Sequence, residues 1–207
     1  MPAPLQRSIK SSIAKQLQRD NQLMLQTKNL IEKQFKVLHN KMMQDFKSHP
    51  VTLELKAGPN ASNISGSISR GNLFSFIGFN AETDPLSIIE RLLSKTEIIL
   101  KRRSMGAKGF IWTYIITAPS LSDLYKASPM PWAKGLSWLR EMEGKGIPNL
   151  GQYIFKRSSK GRSGTGIQNN KIAGGGRVKI PYIKDLLNKF EIELNSIQAS
   201  RVSKSNF

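Results

Sequence analysis

Gly109-Phe-Ile-Trp-Thr-Tyr-Ile-Ile-Thr-Ala118 is β-branched and aromatic almost throughout and ends before Pro119. That composition suits a pleated, half-buried surface, so the segment predicts a strand. On either side of it the apolar period changes from strand-like to helical. Upstream, Leu5, Ile9, Ile13 and Leu17 recur every four residues, and Met24, Ile31, Phe35, Leu38, Met42 and Phe46 continue the stripe at three- and four-residue spacing. This pattern predicts a helix over 5–48, weakest near Asp20-Asn21 and stopped by Pro50. A continuous helix of that length measures about 65 Å at 1.5 Å per residue. Downstream, Ile183, Leu186, Leu187, Phe190 and Leu194 place one apolar face on a final helix from Pro181 to about Gln198. Strands flanked by long helices, without a βαβ repeat, predict an α+β fold. It has a long N-terminal helix, a small mostly antiparallel sheet packed by helices, a basic Gly-rich loop and a C-terminal helix.

The remaining segments fill this outline. Val51–Lys56 reads as a short strand or a helix extension. Residues 57–72 are rich in Gly, Asn and Ser and read as a loop. Leu73–Phe79 reads as an aromatic strand. Asp84-Pro85 opens a helix, with Asp84 as N-cap and Pro85 in the first turn. Its apolar face runs through Leu86, Ile89, Leu92, Leu93 and Thr96–Leu100, and Lys101-Arg102-Arg103 closes it where the helix dipole favours cations. Pro119, Pro129, Pro131 and Pro148 mark 119–150 as irregular, with a short helix over Trp132–Met142. Tyr153-Ile154-Phe155 predicts a third short strand. The resulting organisation is an N-terminal helical arm over 1–48, an α+β domain over 49–199 carrying the 156–180 loop, and a tail over 200–207.

Charge and composition narrow the chemistry. The 207 residues include 32 Lys and Arg against 14 Asp and Glu, a formal charge of +18. Such an excess points to a polyanion or to acidic protein neighbours. There is no cysteine, which excludes a disulfide scaffold, a cysteine nucleophile and thiolate metal sites. The two histidines, His39 and His49, are too few for a histidine-rich metal site. His49, just before Pro50, reads as a cation at a helix C-terminus. Glu141 and Glu143 stand two apart and do not share a helix face. No cofactor, metal site or catalytic group is expected, and the chain does not read as an enzyme. No apolar run approaches the roughly 20 residues of a membrane span, and the start lacks the apolar block of a secretory signal.

The informative run is basic. Between Glu143 and Asp185 there is no acid, while Lys145, Lys156, Arg157, Lys160, Arg162, Lys171, Arg177, Lys179 and Lys184 follow one another. Gly and Ser separate these charges, which suits contact with phosphates or with an acidic partner alike. Gly161–Gly166 lacks the Lys-Ser/Thr ending of a P-loop. Among the apolar residues, Ile31, Phe35, Leu38, Met42, Phe46, Phe74, Phe76, Trp132 and Trp138 are candidates for a subunit interface, because aromatic and methionine side chains concentrate there.

Three further stretches carry a resemblance. They are Phe46 through Phe79, Pro129-Met-Pro-Trp-Ala-Lys-Gly-Leu-Ser-Trp138, and Arg162-Ser-Gly-Thr-Gly-Ile-Gln168 with Pro181-Tyr-Ile183. Together they resemble small virion structural proteins of tailed bacteriophages, the neck, tail-completion and minor tail components. The resemblance covers roughly residues 30 to 195. It implies a non-enzymatic subunit of a ring between portal or connector and tail, around the DNA channel. Its partners would be like subunits, portal or tail-tube proteins and DNA in the channel, with no membrane. Its place would be the virion, and the host cytoplasm during assembly. The other reading of the same residues is a soluble basic nucleic-acid-binding protein, ribosome-associated forms included, using the 145–184 loop.

Overall fold

A computed structural model describes residues 16, 21–67, 71–106, 109–145, 153–154, 167–168 and 179–202. In chain order the elements are α1 (Asn21–Ser48), α2 (Pro50–Ala57), a 3-10 turn (Gly58–Asn60), α3 (Leu73–Ile77), α4 (Ser87–Ser94), β1 (Glu97–Gly106) and β2 (Gly109–Thr117). Then come α5 (Leu121–Lys126), β3 (Pro129–Met130), β4 (Ala133–Ser137), the helical turn α6 (Trp138–Arg140) and a π turn (Glu141–Lys145). β5 (Tyr153–Ile154), β6 (Ile167–Gln168) and α7 (Ile183–Val202) complete the order. Helices and small antiparallel ribbons make this an α+β protein, as the apolar periods predict. The sheet is three separate two-stranded ribbons, β1-β2, β3-β4 and β5-β6. The expected helix over residues 5–20 lies outside the described residues, apart from helical Gln16.

The chain divides into two compact units, one of Met1–His39 with Thr96–Ala118 and one of Asn40–Lys95 with Pro119–Phe207. The first holds the β1-β2 hairpin. Its strands run antiparallel from Glu97 opposite Thr117 to Gly106 opposite Gly109, with a bulge between Leu100 and Arg102. Side chains alternate along it. Ile98, Leu100, Trp112, Tyr114 and Ile116 are half-buried, while Glu97, Ile99, Lys101, Thr113, Ile115 and Thr117 are exposed. In the same unit Phe35 stacks on His39, ring centres 5.7 Å apart.

The second unit owns the main core. Phe46, Leu55, Leu73, Phe74, Phe76, Ile77, Ile89, Leu93, Leu124, Trp138, Leu139 and Tyr182 are all essentially inaccessible. Phe79 meets the Trp138 ring edge-on at 5.9 Å and the Phe74 ring at 5.3 Å, the geometry that aromatic quadrupoles favour.

Four expectations change. Leu73–Phe79 is not a strand. Asn72 accepts the Ser75 N–H through its side chain and Gly78 closes the turn at φ 87°, so α3 is a capped helix buried on all sides. Complete burial removes the period that separates strand from helix, and the two caps decide the conformation. Thr96–Leu100 leaves the helix: α4 ends at Ser94, and Lys101-Arg102-Arg103 lies on β1. Ile98 and Ile99 are β-branched and find their partners across the hairpin in Ile116 and Ile115. The Trp132–Met142 helix is replaced by β4, α6 and the π turn, with Trp138 N–H donating to Ser128 O at 2.9 Å. Finally, α7 continues through Ser200 to Val202, so the tail over 200–207 begins later than expected.

Pro50 interrupts the N-terminal helix without ending helical structure. The break is His49 alone, and Pro50 stands in the first turn of α2. Proline suits that position because its missing N–H would have no helical partner there. Asp84 is not the N-cap expected of it. Its side chain accepts from Leu86 N–H at 2.9 Å and Ser87 N–H at 3.1 Å, but α4 begins at Ser87 with Leu86 as its N-cap, and Pro85 lies before the helix.

Candidate interaction surfaces

The basic segment is held at its base. Ile180 N–H donates to Met142 O at 3.1 Å, and Lys184 N–H donates to Glu143 Oε1 at 2.8 Å. These bonds therefore join the two ends of the segment, the π turn and the start of α7. Glu143 does two things there. It ties the segment's ends together, and it occupies the N-terminus of α7, where free N–H groups and the helix dipole favour a carboxylate. Burial pushes the Glu143 carboxyl above its ordinary range, while the N–H groups of Lys184 and Ile183 oppose that rise.

Of the nine basic candidates, Lys179 and Lys184 lie exposed at the returning end, and Lys145 closes the π turn at the departing end. Lys156, Arg157, Lys160 and Arg162 fall in the connection between β5 and β6, which pair antiparallel through Tyr153 with Gln168 and Ile154 with Ile167. Those four, with Lys171 and Arg177, lie outside the described residues.

α7 is fastened to α1 and α2 by a second set of contacts. Lys41 meets Glu193 and Lys189 meets Asp45, each at 2.6 Å. These pairs are largely exposed, so their value is orientation more than stability. The buried contact is Tyr182 with Thr52, hydroxyl to hydroxyl at 2.6 Å. Burial raises the Tyr182 phenol well above its ordinary value, so it remains a neutral hydrogen-bonding group. Phe46 stacks on the same ring at 6.1 Å and His49 lies against it at 4.8 Å.

His49 is not the helix-terminal cation expected from its place before Pro50. Its Nδ1 accepts the Val51 N–H at 3.2 Å, which makes it the N-cap of α2. Burial lowers its pKa from 6.5, against an opposing pull from Asp185. The folded chain thus binds a proton less readily than the unfolded one. Stability supplied by this group is complete above 6.5 and declines as pH falls from there toward the lowered value. His49→Asn keeps a capping oxygen and removes the titration. Urea midpoints measured at about pH 7.5 and about pH 5.5 should differ less in H49N than in the parent chain. An equal difference in both would place the acid sensitivity elsewhere.

The loop expected over 57–72 is tied down where it is described. Glu54, wholly buried in α2, accepts Leu73 N–H at 2.6 Å through Oε1 and Ser65 N–H at 2.8 Å through Oε2. Asn72 Nδ2 donates to Pro59 O at 2.9 Å and Ala61 O at 3.0 Å. The sequence reading missed both residues. Asn72 had a local signal, a capping residue six positions before a glycine. Glu54 had none, because its partners are 11 and 19 residues away.

The apolar interface candidates separate into two groups. Met42, Phe46, Phe74, Phe76 and Trp138 are at most 3 % exposed and form the core, a correction to their assignment to a subunit interface. Their side chains are consumed by the chain's own packing. Ile31, Phe35 and Leu38 are half-buried along α1. Trp132 is 46 % exposed, yet its indole N–H donates to Ile77 O at 2.8 Å, which fixes the ring in place. On α1, Leu25, Leu30 and Val37 are also more than half exposed.

An open groove of about 740 Å³ runs between α5 and β4, bordered by Tyr125, Lys126, Leu136, Arg140 and Glu141. Burial and the neighbouring Glu143 carboxylate raise the Tyr125 phenol. No group of three or more His, Asp or Glu side chains suited to a metal ion occurs among the described residues. No helix among them is long and apolar enough to cross a membrane.

No family model, curated protein or solved structure matches this chain.

Proposed function

We propose that the chain is a non-catalytic virion assembly protein, a subunit of a neck or tail-completion ring that joins portal or connector to tail around the DNA channel. The observation that carries this reading is the acid-free basic segment closed at its base by Met142, Glu143 and Ile180. The two described ends of this basic, Gly-rich segment are joined at the packed core. That arrangement suits contact with channel DNA or an acidic neighbouring ring. The exposed Trp132 and the exposed apolar positions of α1 supply surface of the kind that subunit contacts use. The phage resemblance of 46–79, 129–138, 162–168 and 181–183 gives the reading its biological setting.

The same basic segment also supports a soluble nucleic-acid-binding protein, ribosome-associated forms included. Quantitative mass spectrometry of purified phage particles separates the two. A whole-ring ratio to the portal subunit, roughly one or one-half copy each as closed cyclic symmetry requires, is the expected result. Absence from particles would sink the ring assignment and favour the nucleic-acid-binding alternative.

A further inference from the structure

The β1-β2 hairpin is protected on one edge and unprotected on the other. β1 carries Glu97, Lys101, Arg102 and Arg103, and it is bulged between Leu100 and Arg102. Charges and bulges are the devices by which sheet edges resist further pairing. β2 is nine residues from Gly109 to Thr117 with no charge, no proline and no interruption in its register beyond the β1 bulge. Among the described residues no third strand pairs with it. A two-stranded ribbon by itself is marginal in water, and further strands or packing against a helix are needed for independent stability. β2 therefore has the composition of a strand that is paired on both sides.

We propose that the β2 edge pairs antiparallel with β2 of a second copy of this chain, giving a four-stranded sheet across a two-fold axis. Charge selects this occupant. In the order β1-β2-β2-β1 the two neutral edges meet. The two Lys101-Arg102-Arg103 segments fall on opposite outer edges, about 14 Å apart at three strand spacings, beyond a screening length of about 8–10 Å in physiological salt. Pairing β2 with the other copy's β1 would set the neutral strand against a bulged and basic edge. Pairing β1 with β1 would bring two cationic strands side by side. The register centred on Thr113 overlaps the whole of β2. It sets Thr113 opposite Thr113 and Trp112 opposite Tyr114 of the second copy, the β-branched and aromatic pairs that stabilise antiparallel sheets. A two-fold contact closes on itself. Ring contacts would use other surfaces, so this inference stands independently of the neck-ring reading.

The absence of cysteine makes the test clean. In the full chain at physiological salt, sedimentation equilibrium should show a concentration-dependent rise from 23.2 kDa to the mass of two chains. Mild oxidation should link Thr113→Cys into a covalent dimer and leave Lys101→Cys without an intermolecular disulfide. Thr113→Lys opposes two cations at the two-fold and should weaken the dimer by up to about fivefold, the upper end of a cross-strand pair energy. Circular dichroism matching the parent chain establishes that each variant is folded. A chain that stays monomeric at every concentration overturns the proposal, and leaves the edge to a strand of another protein. Preferential linkage through Lys101→Cys overturns it as well, by placing the contact on β1.

Discussion

Glu54→Ala is expected to cost about 3–5 kcal/mol of stability, with a fall in Tm on the order of 10 °C for a chain of this size. The carboxylate is wholly buried and both oxygens are used, one by Leu73 N–H and one by Ser65 N–H. Alanine leaves the Leu73 donor buried without its acceptor and frees the Ser65 turn. A buried, unsatisfied N–H costs roughly 1–3 kcal/mol, and the vacated volume adds a packing loss. Removing a buried charge relieves some desolvation, which works in the opposite direction. Glu54→Gln separates these terms, because it discards the charge and retains one carbonyl oxygen. It should lose about 1–2 kcal/mol, less than alanine. Chemical denaturation of the three proteins measures both effects. Equal midpoints for E54A and the parent would mean that the 61–73 connection is not held by this residue.

The second large effect concerns the basic segment. Replacing Lys156, Arg157, Lys160 and Arg162 together by alanine should weaken binding to duplex DNA by about 100-fold or more in moderate salt. Each phosphate contact contributes about 0.9 to the slope of log affinity against log salt. Loss of four contacts should therefore flatten that slope by about 3–4. The four residues belong to the connection between β5 and β6. Circular dichroism and a melting profile matching the parent establish that the variant is folded. A Lys179→Ala, Lys184→Ala variant at the base tests location, and it should flatten the slope by about 2 if both lysines touch phosphate. An unchanged slope in the fourfold variant would move the polyanion contact off this connection and leave acidic protein as its partner.

Legibility followed the range of the interactions. The α1 stripe ending in Met42 and Phe46 and the β2 strand were readable, because each depends on residues a few positions apart. The same local reasoning misjudged α3. Burial of every residue from Leu73 to Phe79 removed the alternation on which a strand assignment relies. It misjudged β1 for a related reason. Ile98-Ile99-Leu100 extends the apolar run of α4, and only pairing with Tyr114, Ile115 and Ile116 makes it a strand. Among the candidate interface residues, periodicity identified apolar positions correctly. It carried no information about whether Phe46, Phe74 or Trp138 faced the chain's own core or a neighbour.

From the sequence alone come the α+β class, the long amphipathic helix, the neutral β-branched strand and the concentration of positive charge between Glu143 and Asp185. All four are properties of composition and of spacing along a short length of chain. The tertiary structure decided which acids became internal acceptors. It put Glu54 under Leu73 and Ser65, and Glu143 under Lys184, 41 residues further along. It turned His49 from an expected cation into an N-cap and brought the two ends of the basic segment to one place. The physical reason is common to these cases. A buried polar group must find a partner wherever the packed chain supplies one, and that partner's position in the sequence is set by the fold.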